Sequence, residues 1–350
     1  MNLDFMNFIS QTFSSISFFI LVVLLSGVIF VNGFSDAPNA IATCVSTRAI
    51  SPKKALFMSG IFTFLGILIM SYINASVAHT IFNLANFGTE TAPAIVALSA
   101  ALISIIAWAT FAGKIGIPTS ESHALIASLT GAAVALSGTF SVVNGKEWVK
   151  VFLGIGVSII LGFIVGFIMA KITEAIFKYF DRRRTMPGFR ITQIIGGAAM
   201  SFMHGAQAGQ KFIGVFILGI LFANGVHGNT DFTIPVWLMV YCAALMTIGT
   251  SIGGYKIIKT VGTKMTKLEL YQGAVVDVAT SACLLFASTF GIPISTAHTK
   301  SLAITGVSAC RRLSSINWNV IKKILLAGIV TFPCCGLVSF VITKIFLIFA

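Results

Sequence analysis

Apolar residues along this chain gather into long runs separated by short polar breaks. The runs cover 12–47, 54–73, 91–112, 117–139, 148–179, 191–224, 233–254, 268–290, 292–309 and 318–349. A run of about 20 apolar residues spans a bilayer as a helix, and a backbone in hydrocarbon must satisfy its own hydrogen bonds. The alternating apolar–polar pattern of barrel strands does not occur, so helix is predicted throughout. The first run follows no basic segment and precedes no small-residue cleavage site, which predicts a permanent span rather than a removable signal.

Two runs, 12–47 and 191–224, are too long for one straight crossing. At about 1.5 Å per residue each overshoots a hydrocarbon core of about 30 Å. Both carry polar residues and glycines in their middle, so each is predicted to be a helix broken near the midplane.

Composition agrees with the pattern. Hydrophobic residues make up 57% of the 350 positions and charged residues 9%, whereas a soluble domain carries about 25% charge. The predicted fold class is an all-α polytopic membrane protein with about 10–12 membrane segments and no room for a sizeable soluble domain. A net charge of +13 would suggest nucleic acid in a soluble protein. Here the basic residues cluster in short loops, so the charge is read as topology and no nucleic-acid partner is expected. The six cysteines fall mostly inside apolar runs without metal-ligand spacing and read as small packing residues.

The chain also echoes itself. "NGFSDAPNAIAT" at 32–43 is matched by "HGAQAGQKFIGV" at 204–215, and "GIPTSESHALIASLTG" at 116–131 by "GIPISTAHTKSLAITG" at 291–306. The two pairs are offset by 172 and 175 residues in the same order, which points to an internal duplication. Loop charge orients the halves. Arg48, Lys53 and Lys54 mark loop 48–54, while its counterpart 225–232 has no Lys or Arg. Loop 74–90 has none either, while its counterpart 255–267 carries Lys256, Lys259, Lys264 and Lys267. Basic loops stay in the cytoplasm, so matching loops lie on opposite sides. The expected organisation is a first repeat at 1–179, a basic cytoplasmic linker at 180–190 and an inverted second repeat at 191–350, with interrupted helices and re-entrant hairpin-like motifs. In such proteins the site lies at the repeat interface near the midplane.

Four polar motifs interrupt the oil. An ionisable residue deep in an apolar span costs a few kcal/mol and is kept for a reason. Asp36 is followed by Asn39 on the same helical face and by Thr43, and Pro38 leaves a carbonyl without a donor. Carboxylate, amide, hydroxyl and carbonyl oxygens suit a small cation such as sodium; alternatively Asp36 alone carries a proton. In the paired motifs, Gly and Pro interrupt a helix and hydroxyls stand where a new one begins: Thr119, Ser120 and Ser122 in the first, Ser295, Thr296 and Thr299 in the second. Helix N-termini present unpaired N–H groups and a positive dipole end to anions. Two inverted copies facing each other would surround one tetrahedral oxyanion. Ordinary N-capping would account for one such motif, less readily for two.

Further polar residues are candidates for neighbouring roles. Glu121 has no acidic counterpart; it is a candidate to pair with a basic group or carry a proton, and is expected to point away from an anion, accepting from backbone N–H groups at the helix start. His123 and His298 are candidate structural partners or proton carriers. Asp277 is another midspan acid, able to line the same cavity with Gln272 and Thr280. Lys211 is the candidate counter-ion for Asp277 or an attraction for the anion.

"GFSDAPNAIAT" with the paired "GIPTSESHALI" and "GIPISTAHT" resembles the signatures of the inorganic phosphate transporter (PiT) family, over nearly the whole chain and both halves. The resemblance implies import of inorganic phosphate coupled to sodium or protons, or sulfate in some members. It places the cation on Asp36 and Asn39, and phosphate on Thr119, Ser120, Ser122, Ser295, Thr296 and Thr299 with Gln207 nearby. One departure stands out: Gln207-Ala208 occupies the position where the family usually has Asn-Asp, so the second-half acid is missing. Ser35 likewise replaces the more usual Asn or His. Fewer sodium ions per cycle, or proton coupling through Asp36, Glu121 or Asp277, are the two expectations.

The functional expectation is therefore a secondary transporter working by alternating access in the plasma membrane, with a homodimer as a candidate assembly. Alternatives are a sulfate permease of the same fold and an uncoupled anion channel or uniporter. No nucleophile–base–orienter set and no Gly-rich NTPase loop occur, so neither an enzyme nor a cofactor beyond the coupling ion is expected.

Overall fold

The structure, a computed structural model, describes residues 4–115, 119–226, 232–253 and 258–349. Gly116, Ile117 and Pro118 of the first Gly-Ile-Pro motif lie outside the described residues, as do 227–231 and 254–257 of the two loops compared above. The described chain is helical apart from connecting segments and one isolated bridge, Ala85 to Val143.

The short α1, Phe5–Ser14, precedes α2, Ile16–Ser35, whose start is capped by the Ser15 hydroxyl. The chain then turns through Asp36 and Ala37 into α3, Pro38–Ser46. Across that turn the amides of Asn39 and Ala40 bond three residues back, to Asp36 and Ala37, rather than four. Proline imposes this change, because Pro38 has no N–H to give the Phe34 carbonyl. The break predicted in 12–47 is thus present, at the acid.

The second predicted break is absent. Helix α10, Arg182–Ala223, runs unbroken for 42 residues. Its only proline, Pro187, lies near the start, well before the echoed "HGAQAGQKFIGV". Glycine alone weakens a helix by about 1 kcal/mol and does not stop it. Here Gly205 is also needed for packing: a Cβ there would strike the Thr63 carbonyl oxygen of α4, Pro52–Ile73, and in return a Cβ at Gly66 would strike that of Phe202. The apolar window of α10 is 94% buried, against 28% for the outermost spans. It is the central post of the molecule.

The remaining helices are α5 (Ser76–Phe82), α6 (Thr91–Ile115), α7 (Glu121–Ser137), α8 (Gly145–Gly156), α9 (Gly162–Phe177), α11 (Val236–Ile252), α12 (Leu270–Thr289), α13 (Thr296–Arg311) and α14 (Trp318–Phe349). A π-helical turn, Val157–Leu161, joins α8 to α9. Among the described residues, seven helical runs are long and apolar enough to cross a membrane, and α11 is a shorter apolar helix. The expected 10–12 segments are approached only if α7, α11 and α13 are counted as well.

Helices pair across the two halves of the chain. As α4 meets α10, so α2 meets α11, with Gly33 against Met246 and Gly249 against Phe30. Helix α7 packs on α14, Gly131 against Gly336, and α13 packs on α9, Gly306 against Phe163. Removing Cβ atoms lets helix backbones approach closely where lipid offers no hydrophobic drive.

The polar loops sort by end. At one end Arg190 donates to the Ala49 carbonyl, Arg182 pairs with Glu269, and Asn317 N–H bonds Met265 O. These contacts collect the basic loops and the linker expected in the cytoplasm. At the other end the amide of Asn74 reaches Thr289 O, and Asn144 N–H reaches Leu84 O. Helix α7 runs towards the second end and α13 towards the first, where Arg311 meets Glu269.

Candidate functional site

The starts of α7 and α13 are built alike. Ser120 and Ser295 are N-caps in extended backbone, and their hydroxyls accept from the amides of His123 and His298 at 3.2 and 3.3 Å. A serine cap satisfies one orphan N–H of the first turn and leaves the earlier amides for another acceptor. The two starts meet in the interior: the His123 and His298 rings lie 5.1 Å apart, and Ser122 Oγ is 3.4 Å from Ile294 O.

Lys211 of α10 ties them together. Its buried ammonium donates to Ser122 Oγ at 2.7 Å and to Ile294 O at 2.6 Å. An ammonium has three donors, so one is left uncommitted to these partners. Lys211 is therefore not the counter-ion of Asp277, one of its two candidate roles; it stands at the junction of the paired motifs. Two positions back along α10 from Gly209, Gln207 donates to Ser288 Oγ at 2.9 Å and to Ile292 O at 3.3 Å, just ahead of α13, and its Oε1 is buried without a partner.

The α2–α3 break lies against both starts. Asp36 is buried; its Oδ1 accepts from Asn39 Nδ2 at 2.9 Å and its Oδ2 from Thr296 Oγ1 at 3.0 Å. The His204 ring of α10 stands 4.0 Å from the same Oδ2 with both nitrogens lacking hydrogen-bond partners. The side-chain oxygens of Asn32 and Asn39 are also buried and unpartnered. Buried polar atoms are normally satisfied. A carboxylate beside orphaned amide oxygens fits a small cation that takes oxygen ligands.

Several predicted residues go elsewhere. Glu121 does not turn to backbone N–H groups; its two oxygens accept from the side chains of Asn32 and Ser35, so it fastens the start of α7 to the end of α2. The acid is drawn there because those two donors would otherwise be buried without a charged acceptor. Thr43 lies two turns along α3 from Asp36 and donates to Asp277 Oδ1 at 2.6 Å, away from Asn39. Asp277 pairs with Lys300, and Gln272 serves the capping box at the start of α12 through the Glu269 amide, so neither joins the junction. Thr280 and Thr299 bond back to the carbonyls of Val276 and Ser295. Thr119 is half-buried immediately before α7.

Sequence reasoning passed over Asn32 and Lys300. Asn32 is only one more amide in an apolar run. A lysine inside the otherwise apolar 292–309 was a visible signal for Lys300.

Comparisons with known proteins bear on this arrangement. The phosphate transporter family matches residues 32–339. A probable low-affinity inorganic phosphate transporter of Bacillus subtilis (strain 168) is 37% identical over 305 residues, covering 87% of this chain and 89% of that protein. One from Rhizobium meliloti (strain 1021) is 35% identical over 318 residues, 89% of this chain and 90% of that one. A solved structure titled "The sodium-dependent phosphate transporter" superposes with a TM-score of 0.85 over 96% of this chain and 100% of that one. At 23% identity that likeness shows the fold alone.

Proposed function

The chain belongs to the phosphate transporter family, and on that premise we propose that it imports inorganic phosphate through the plasma membrane, coupled to a cation taken at Asp36. One observation carries the reading. Two serine-capped helix starts, pointing to opposite ends of the molecule, meet at one buried lysine. Uncommitted amides, hydroxyls and an ammonium around one point supply what a tetrahedral oxyanion loses with its water.

The pairing of α2 with α11 and α4 with α10, and of α7 with α14 and α13 with α9, supports two inverted halves. Phosphate then sits at their interface, held by Ser120, Ser122, Ser295, Thr296 and Lys211, with Thr119, Thr299 and Gln207 at its margin. Family and relatives are transporters, and no chemical step is assigned to these residues.

Coupling follows from the bond between Asp36 and Thr296. Sodium bound by Asp36 and the free oxygen of Asn39 competes for that carboxylate oxygen and releases the hydroxyl towards the anion. The ion's charge also offsets the cost of bringing phosphate into a low-dielectric interior. Each ligand thereby favours the other's binding, by the same factor in both directions.

The test is uptake of labelled phosphate by proteoliposomes under an inward sodium gradient, under a proton gradient, and under neither, with sulfate as competitor. Accumulation above equilibrium in sodium, little affected by sulfate, is expected. Accumulation driven only by protons would move the coupling ion off the sodium reading, equilibration without a gradient effect would make the protein a uniporter, and full competition by sulfate would widen the substrate.

A further inference from the structure

A second buried acid takes no part in the junction just described. Asp277 of α12 and Lys300 of α13 are both 0% exposed and stand 2.8 Å apart, Oδ1 to Nζ. The same Nζ donates to the Ala40 carbonyl at 2.5 Å. The same Oδ1 accepts from Thr43 Oγ1 at 2.6 Å, and Cys44 Sγ lies 3.4 Å from Oδ2. Ala40, Thr43 and Cys44 all belong to α3, the short helix that follows Pro38.

Stability alone does not account for such a pair. Desolvating two charges offsets most of their attraction, and apolar residues of similar volume often serve as well. The surroundings are more specific than an ion pair needs. The ammonium lies on a carboxylate oxygen and a main-chain carbonyl oxygen, hard donors of the kind that hold small cations, and carbonyls beside a helix break supply them in transporters. The ammonium occupies the place that such a cation would take. It is also fixed to the helix whose first turn holds Thr296, four residues before Lys300.

We propose that the Asp277 carboxylate and the Ala40 carbonyl, with Thr43 orienting the carboxylate, form a second cation site in which the tethered ammonium of Lys300 stands in for a free sodium ion. α3 and α13 are thereby held together by a charge that never leaves, and the transport cycle needs one mobile cation fewer. That consequence for the cycle rests on the transport reading above; the site itself rests on the atoms around Nζ.

Lys300→Ala and Lys300→Gln remove the ammonium and leave Asp277 a sodium site. Purified wild type and variants are compared by thermal unfolding in sodium chloride and in choline chloride. Sodium is expected to raise the Tm of the variants over that of wild type by about 5 °C near 100 times its dissociation constant. Lys300→Met/Asp277→Asn, which removes both charges, is expected to lose this added response. The same Tm gain from sodium in wild type and both single variants would overturn the proposal. So would failure to recover either variant from membranes kept in sodium, because the ion is expected to replace the lost charge. In proteoliposomes, phosphate uptake by Lys300→Gln is expected to depend on sodium more steeply than wild type, by one further ion. A wild type that moves no phosphate at all would sink the transport reading and leave the Tm result to decide the site.

Discussion

The echoed segments of the two halves have reached different ends. In the first, proline stops the helix beside Asp36, and the turn offers a carboxylate and amide oxygens. In the second, α10 passes through unbroken, and the same stretch offers a cation, Lys211, with the neutral Gln207-Ala208 before it. One half presents negative ligands and the other positive. The contrast teaches that matching sequence does not guarantee matching structure: a single proline turns the first segment beside Asp36, and the second, without one, continues as helix past Lys211.

The contrast is broken most strongly at Asp36. Asp36→Asn keeps the shape and removes the charge, and sodium-driven phosphate uptake is expected to fall about 100-fold, the kinetic equivalent of about 3 kcal/mol for a charged contact. Initial rates in proteoliposomes measure this, and wild-type rates in the variant would take Asp36 out of the cation site. On the other arm, Lys211→Met is expected to raise the half-saturating phosphate concentration about 30-fold, while the slope of the sodium dependence stays put. A change in sodium dependence instead would assign Lys211 to the wrong ligand.

Smaller effects test what the two copies still share. Gly205→Ala and Gly33→Ala each drive a Cβ into a facing carbonyl oxygen, of Thr63 and of Met246, and each is expected to cost about 2 kcal/mol by overpacking. Thermal unfolding in detergent reads this; a cost at one site alone would show that the cross-half packing is not equivalent. Smallest are Ser120→Ala and Ser295→Ala. Loss of an N-cap is worth about 1 kcal/mol, so each is expected to raise half-saturating phosphate about fivefold. Unchanged kinetics for both would argue against a shared anion site.

Much of this was legible in the residues. Run length and composition predicted the helices because lipid allows few other backbones. The break at Pro38 was legible because proline acts locally. Its supposed twin was misjudged because glycines and polar residues in 204–215 look like a break in one dimension, whereas in three the glycines are the contact face of a central helix against Thr63 and Ile67, and Gln207 and Lys211 face Ser288 and Ser122. The meeting of the Ser120 and Ser295 motifs was expected from their matching sequences. The partner choices did not: whether Asp277 takes Lys211 or Lys300, and whether Glu121 turns to backbone or to Asn32 and Ser35, depends on which helix lies opposite, and spacing along a chain does not carry that.

The unbroken run of α10 has a mechanical consequence. At about 1.5 Å per residue it is a rod of roughly 63 Å, about twice the thickness of the hydrocarbon core, and past Pro187 it has no proline to kink it. Such a rod serves as a keel: α4 is laid against it backbone to backbone through Gly66 and Gly205.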